Sequence, residues 1–248
     1  MSSSRQYDQR FYRAWHRENA LKRFELKIEE SDLLILCDEI TQPFTETAHQ
    51  TLRASRAQIK RKIKQCPEFE QSLTPVKAAD TDSRIIKRMS DAGEQWAVGP
   101  MAGVAGAIAE TVARALAPHT RNVIVENGGD IYGITPSTVR FALYAGEDSP
   151  FGNSLTFEVD ASNGIAICTS SGKIGPSLSF GSADAVVAIH RRGSMADAAA
   201  TAIANLIHSP MDIDPIINRI AKDNRLIGLI ACMSDKLGLW GDITLIKG

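Results

Sequence analysis

Asp197 and Thr201 stand four positions apart in an alanine-rich run that opens at Gly193-Ser194. On a helix that spacing puts a carboxylate and a hydroxyl on one face, about one turn from the N-terminus. Such a pair suits a hard cation such as Mg²⁺, which takes oxygen ligands and keeps waters or substrate phosphates in its remaining positions. The same residues have a plainer use. Ser194-x-x-Asp197 resembles a capping box with Asp in place of Glu or Gln, and Asp is favoured in a first helical turn in any case. On spacing alone, capping is the simpler account.

Two other stretches carry groups that could meet a ligand. Glu126-Asn127-Gly128-Gly129-Asp130 is a strand end, two glycines and an acid. Glycines allow positive φ and close backbone approach, while Asn127 and Asp130 supply an amide and a carboxylate. A tight turn with solvated acids explains the same residues. Further on, a short apolar strand at Ile165 and Ile167 breaks into Thr169-Ser170-Ser171-Gly172-Lys173. Hydroxyls, backbone N–H groups and one cation in a loop are what a pyrophosphate needs. It is not a Walker A loop, because the first position of that spacing is Ile167 and not glycine. A surface turn with a solvated lysine remains the plain alternative. No Gly-x-Ser-x-Gly elbow frames a serine and no cysteine adjoins a histidine, so nucleophilic catalysis finds little support. His190, at a strand end, is the one acid/base candidate, set against an ordinary surface or satisfied histidine.

The elements around these residues follow from periodicity. Phe24, Leu26 and Ile28 alternate with charges and precede an apolar run from Leu33 to Leu36, which predicts a β-hairpin. A basic helix is expected over 45–65, its Arg53, Arg56, Lys60, Arg61, Lys62 and Lys64 forming a solvated face. Pro67 and Pro75 mark a linker, and a second helix covers 83–96. Gly99-Pro100 opens a third, to about Ala117, with a core stripe at Val104, Ile108, Val112 and Leu116. Gly99, Gly103 and Ala107, with Ala102 and Gly106, form rows of small residues that let another element approach closely. Strands are expected at 123–125, 139–145, 154–159, 165–168 and 185–189. A helix runs from Met195 to Ile207, another follows Pro215, and 226–231 with 239–246 reads as a closing hairpin. Runs of strands interrupted by paired helices imply an α+β fold with largely antiparallel sheet.

Composition sets the outer limits. The 248 residues suffice for one domain with a proper core, and 44% apolar with 23% charged residues is ordinary for a globular chain. A net charge of -1 argues against a nucleic-acid partner. The longest weakly polar run, 97–109, ends at Glu110 and is too short to span a bilayer. The start lacks an apolar h-region, and Cys37, Cys66, Cys168 and Cys232 are scattered; a reduced, cytoplasmic protein is the expectation.

Five blocks in order resemble one family: Val98-Gly-Pro-Met-Ala-Gly-Val-Ala-Gly-Ala-Ile-Ala-Glu110, Val123-Ile-Val-Glu-Asn-Gly-Gly-Asp-Ile131, Cys168-Thr-Ser-Ser-Gly172, Ser177-Leu-Ser-Phe-Gly-Ser-Ala-Asp-Ala185 and Ala196-Asp-Ala-Ala-Ala-Thr-Ala202. It is the uncharacterised prokaryotic ApbE-like family, distantly similar to the FAD:protein FMN transferases. The family resemblance runs nearly end to end, as one ApbE-like domain over 1–248. That to the transferases rests on the Gly-Gly-Asp, Thr-Ser-Ser-Gly and Ala-Asp-Ala-x-Ala-Thr blocks. It implies a T-fold-related α+β fold, Mg²⁺ on Asp197 and Thr201 with a contribution from Asn127, and FAD or a related flavin nucleotide near Gly128, Gly129, Asp130 and Thr169, Ser170, Ser171, Gly172, Lys173. It shifts the balance at Asp197 from capping toward ligation.

The departures bear on activity. The transferases carry a His-Ile-Ile-Asp-Pro motif whose histidine is the proposed acid/base; Ser177-Leu-Ser-Phe-Gly181 stands in its place, preceded by Pro176. Most transferases are also exported lipoproteins. Two functions stay open: a Mg²⁺-dependent transferase or pyrophosphate hydrolase, with a protein acceptor in the first case, and a non-catalytic flavin- or nucleotide-binding module. A third reading inherits the fold alone and acts on another small metabolite. The chain is compatible with a homodimer without requiring one.

Overall fold

The computed structural model describes residues 21–143, 155–171 and 181–246. The opening hairpin forms between β1 (Lys22–Ile28) and β2 (Ser31–Cys37), pairing Ile28 with Ser31 across Glu29-Glu30. Helices α1 (Gln42–Gln65), α2 (Glu68–Gln71), α3 (Arg84–Trp96) and α4 (Val104–Leu116) follow. The strands β3 (Val123–Asn127), β4 (Asp130–Ile134), β5 (Thr138–Leu143), β6 (Leu155–Asp160), β7 (Ile165–Ser170) and β8 (Ala185–His190) come next. Then come α5 (Gly193–Ala204), α6 (Ile213–Asp223), β9 (Gly228–Met233), β10 (Lys236–Gly241) and β11 (Thr244–Ile246).

Eight strands make one antiparallel sheet in the order β1-β2-β3-β4-β7-β8-β9-β10, and β11-β6-β5 make a second. The helices cover one face of the large sheet and the small sheet covers part of the other. Side-chain alternation shows it directly. Ala166 and Cys168 of β7 and Val186 and Ala188 of β8 belong to cores under the helices. Ile165, Ile167, Val187 and Ile189 pack with Phe141, Phe157 and Val159 of the small sheet. Covered on both faces, β7 and β8 read as continuous apolar runs rather than alternating ones.

The expected α+β, largely antiparallel architecture is therefore observed, with local differences. Strand β4 is not foreseen in the sequence: it follows β3 after a turn of two residues, Gly128 and Gly129, both at positive φ (70° and 102°). A connection so short leaves no gap between the two apolar stretches. The expected closing strand over 239–246 is two strands. Residues 236–241 pair with β9, whereas β11 crosses to β6 in the small sheet. The 67–75 linker contains α2, and the helix expected from Pro100 begins as a 3-10 turn, Pro100–Gly103. Nor is the basic face of α1 wholly solvated. Lys62 is buried and bonds Asp82 at 2.5 Å, and Arg56 pairs with Glu29 and Glu30.

The small-residue rows on α4 have a definite partner. A Cβ on Gly106 would lie 2.3 Å from the Gly193 carbonyl oxygen, and one on Gly193 would lie 2.0 Å from that of Gly106. Gly103 is 2.8 Å, by the same measure, from the oxygen of Ser194. The starts of α4 and α5 thus meet backbone to backbone, closer than any side chain permits.

Candidate functional site

Where α4 and α5 meet, each helix supplies an acid to the other's start. The first N–H groups of a helix have no partner within it, and neither α4 nor α5 is capped by the side chain of its own N-cap residue. Asp197 of α5 accepts from the Gly106 N–H of α4 (Oδ2, 2.8 Å) and from that of Ala105. Glu110 of α4 accepts from the Gly193 N–H at the start of α5 (Oε2, 2.8 Å). The capping box expected at Ser194 is thus corrected. Asp197 does cap, but it caps the neighbouring helix, and the buried Ser194 Oγ has no hydrogen-bond partner among the described residues. The cause is the glycine contact, which brings the two helix starts within reach of each other's side chains.

The sheet completes the arrangement. Asn127, at the end of β3, donates its amide to the Ala105 carbonyl (3.2 Å). Glu126 Oε1 accepts from Gly129 N–H (2.7 Å), which fixes the turn. Asp130, the first residue of β4, is buried and accepts from Thr169 N–H (3.2 Å) near the end of β7 and from the Cys168 thiol. The β3–β4 turn, the end of β7 and the starts of α4 and α5 therefore converge. A Cβ on Gly129 would meet nothing within 4 Å, so the space above the turn is open.

The electrostatics are unusual. Burial raises the Asp130 carboxyl well above the usual range, and the nearby Asp197 charge raises it further, against the Cys168 and Thr169 donors. Burial also pushes Asp197 up to about 7, despite the N–H groups of Gly106 and Ala105. No lysine or arginine among the described residues forms an ion pair with either. Neighbouring carboxyls whose charge is disfavoured in this way favour taking up a proton or recruiting a positive ion.

Of the residues read from the sequence as candidates, Asp197, Asn127, Gly128, Gly129, Asp130, Thr169 and Ser170 lie on elements that this junction brings together. Thr201 follows one helical turn after Asp197 on α5 and is half-buried. Ser171 ends the described part of its loop; Gly172 and Lys173 lie outside the described residues, as do Pro176 and positions 177–180. Among the described residues no group of three His, Cys, Asp or Glu could hold a metal ion, so the protein would offer one or two carboxylates and neutral oxygens. His190 is engaged: its Nδ1 accepts from Arg192 N–H (2.8 Å), and burial lowers its pKa. Glu110, Cys168 and the Ala105 and Gly106 N–H groups are not foreseen as site elements. Glu110 had a readable signal, being a lone acid within an apolar helix stripe.

An all-antiparallel sheet covered by helices, with glycine-turn, strand-end and helix-start residues at one junction, is an ApbE-type architecture. The structure matches the flavin transferase ApbE from Vibrio cholerae with a TM-score of 0.59 at 13% identity, covering 89% of this chain and 97% of that one. It matches the apo flavinyl transferase ApbE of Pseudomonas stutzeri with a TM-score of 0.55 at 14% identity, over 89% and 93% of the two chains. In sequence, the family model described as AbpE bacteria matches residues 13–225. A UPF0280 protein of Methanococcus aeolicus is 37% identical, covering 88% of this chain and 90% of its own. One from Methanospirillum hungatei is 38% identical, over 90% and 89%. The chain belongs to the UPF0280, ApbE-like family. No single helix among its described residues is long and apolar enough to cross a membrane.

Proposed function

We infer that this chain binds a flavin nucleotide together with Mg²⁺ at the junction of the β3–β4 turn, the end of β7 and the starts of α4 and α5. The observation that carries the reading is the pair of Asp130, buried, and Asp197, half-buried, whose charge is disfavoured and which no lysine or arginine among the described residues pairs. The donor set fits a hard ion: oxygen atoms, few carboxylates and space left for waters or phosphate oxygens. Asp197, Thr201 and Asn127 would hold the metal. Gly128, Gly129 and Asp130 would border it, and the loop Thr169, Ser170, Ser171, Gly172, Lys173 would take the phosphates. A bound divalent ion supplies charge neutralisation and polarisation of phosphoryl oxygens. Around it, the Gly106 and Ala105 N–H groups orient Asp197, the Thr169 N–H and Cys168 thiol orient Asp130, and Glu126 fixes the turn.

The same geometry favours binding over rapid transfer. His190 spends Nδ1 on the Arg192 backbone, and Ser177-Leu-Ser-Phe-Gly181 replaces the transferases' His-Ile-Ile-Asp-Pro motif, so the histidine acid/base of those enzymes has no counterpart in this sequence. Such a group is worth about 10²–10⁴-fold in rate. A flavin-binding module with slow or no turnover is the reading favoured by that observation, ahead of efficient FMN transfer to a protein threonine.

Metal titration tests the assignment without a known substrate. Mg²⁺ is added to wild type and to Asp197→Asn, with and without FAD, while the melting temperature is followed. The expected result is a saturable rise in wild type, larger with FAD, and a shift of the Mg²⁺ midpoint by tenfold or more in the variant. Equal midpoints would leave Asp197 as a cap for α4 and remove the basis for a metal-dependent function.

A further inference from the structure

A second cleft lies on the helical side of the molecule, between α1, α3 and α4. Its volume is about 470 Å³, and Thr51, Ser55 and Gln58 of α1, Arg84 and Arg88 of α3, and Arg114 of α4 line it with the apolar Ala54, Ile85 and Ala115. The cations outnumber their counter-charges. Arg88 and Arg114 share one carboxylate oxygen, Glu110 Oε1, at 3.0 and 2.7 Å. Arg114 also donates to the Tyr132 hydroxyl (2.5 Å). Arg84 has no hydrogen-bond or ion-pair partner among the described residues. Three guanidinium groups against one carboxylate leave two positive charges uncompensated. Burial disfavours the charge on Arg88, and Arg84, Arg114 and Arg192 disfavour it further, although Glu110 supports it.

Polar donors are available beside this charge. The Ser55 hydroxyl is committed to the Thr51 carbonyl and the Thr111 hydroxyl to that of Ala107. Among the described residues the Thr51 hydroxyl, the Gln58 amide and the Arg84 guanidinium have no hydrogen-bond partner, and Arg88 has its ion pair with Glu110 alone. Planar donors of fixed geometry are suited to phosphate and carboxylate oxygens, which they can bind two at a time. The volume exceeds a bare phosphate and falls in the range of small-molecule sites.

We propose that this cleft binds a small oxyanionic metabolite, with its phosphate or carboxylate group on Arg84, Arg88 and Arg114 and a neutral body against Ala54, Ile85 and Ala115. The site is separate from the Asp130–Asp197 junction and needs no metal. Truncating an arginine that makes charge-assisted hydrogen bonds to an oxyanion weakens binding about tenfold. Arg84 is the test residue, because it is exposed and no described contact depends on it.

Calorimetric titration of the full chain in EDTA, at ionic strength held constant with chloride, uses pyrophosphate, inorganic phosphate and citrate as probes. One saturable event per chain is expected for at least one probe, about tenfold weaker in Arg84→Ala and unchanged in Asp197→Asn. Preference for pyrophosphate over citrate assigns the phosphate class, and the reverse the carboxylate class. No binding beyond that of chloride overturns the proposal, as does equal affinity in wild type and Arg84→Ala. Binding abolished by Asp197→Asn would move the anion to the other site and overturn it too.

Discussion

The two ends of α4 hold opposite chemistry within about 12 Å, the rise from Gly106 to Arg114. At its start, glycines bring backbone N–H groups to carboxylates, and no lysine or arginine among the described residues forms an ion pair with Asp130 or Asp197. In its second half, arginines crowd a cleft with one acid to share. Each end suits the helix dipole, which favours anions at the N-terminus and cations at the C-terminus. Glu110 stands between them, fully buried, with one oxygen on the Gly193 N–H of α5 and the other on Arg88 and Arg114. One residue therefore closes the acidic junction and partly neutralises the basic cleft. The difference between the ends is one of supply: backbone donors hold the carboxylates, whereas side-chain charge dominates the cleft.

Breaking that divide at its hinge should have the largest effect. Glu110→Ala would leave the Gly193 N–H unsatisfied and the partly buried Arg88 and the exposed Arg114 without a counter-charge. Removing one partner of such a buried pair costs about 3–5 kcal/mol, read as a lower urea midpoint at unchanged slope. Glu110→Gln should recover part of this through the hydrogen bonds alone. A loss below 1 kcal/mol in Glu110→Ala would show that the two ends are independent.

The glycine contact is the next largest. Gly106→Ala would drive a methyl against the Gly193 carbonyl oxygen, a backbone atom that cannot rotate away. Overpacking of this kind costs about 1–3 kcal/mol. The gain in helix propensity, about 1 kcal/mol for alanine over glycine, offsets part of it. Because Asp197 bonds the Gly106 N–H, the Mg²⁺ midpoint should weaken with stability, whereas anion binding at the arginine cleft should not change. If alanine stabilises the protein, the close approach is not rigid.

Much of this was legible in the chain, and the failures share a cause. The largely antiparallel class and the small-residue rows follow from periodicity and from glycines at element ends, while the convergence of the three motif blocks follows from the resemblance to the FMN transferases together with the blocks' places at element ends. What α4's glycines touch did not follow, because a small-residue row says that something is close and not what it is. Asp197 shows the same limit. Its spacing from Ser194 fits a local cap, yet the carboxylate reaches a helix start 91 positions away in the chain. Strand β4 was hidden by a two-residue turn, and Lys62 by lying within a basic run whose other members are mostly solvated. Pairing across the sheet and between helices is non-local, and one sequence records it only where a residue type is out of place, as Glu110 is.

Lys62 sharpens the contrast between paired and unpaired cations on the helical face, and its effect should be the smallest. It lies on α1, as do four of the cleft's lining residues, but its charge is answered by Asp82 at 2.5 Å, with both side chains about one-tenth exposed. Burial alone would raise the Asp82 carboxyl. The hydrogen bonds from Lys62 and the Ala79 N–H, with the charges of Lys62 and Lys87, outweigh it and hold the carboxyl below its ordinary 3.8. A depressed native value means that the unfolded chain takes up the proton first as acid is added. The pair's stabilisation is therefore complete above the unfolded value and is lost as pH falls through the native one. Asp82→Asn should cost on the order of 1 kcal/mol at pH 7 and should flatten this part of the acid limb between pH 5 and pH 2. Arg84→Ala, which removes a cation without a partner, should leave both the midpoint at pH 7 and the acid limb unchanged. Equilibrium urea curves at several pH values compare the three proteins directly. An acid limb in Asp82→Asn as steep as that of wild type would mean that Lys62 is held by packing on Phe69, whose ring centroid lies 5.8 Å from Nζ, and not by its charge.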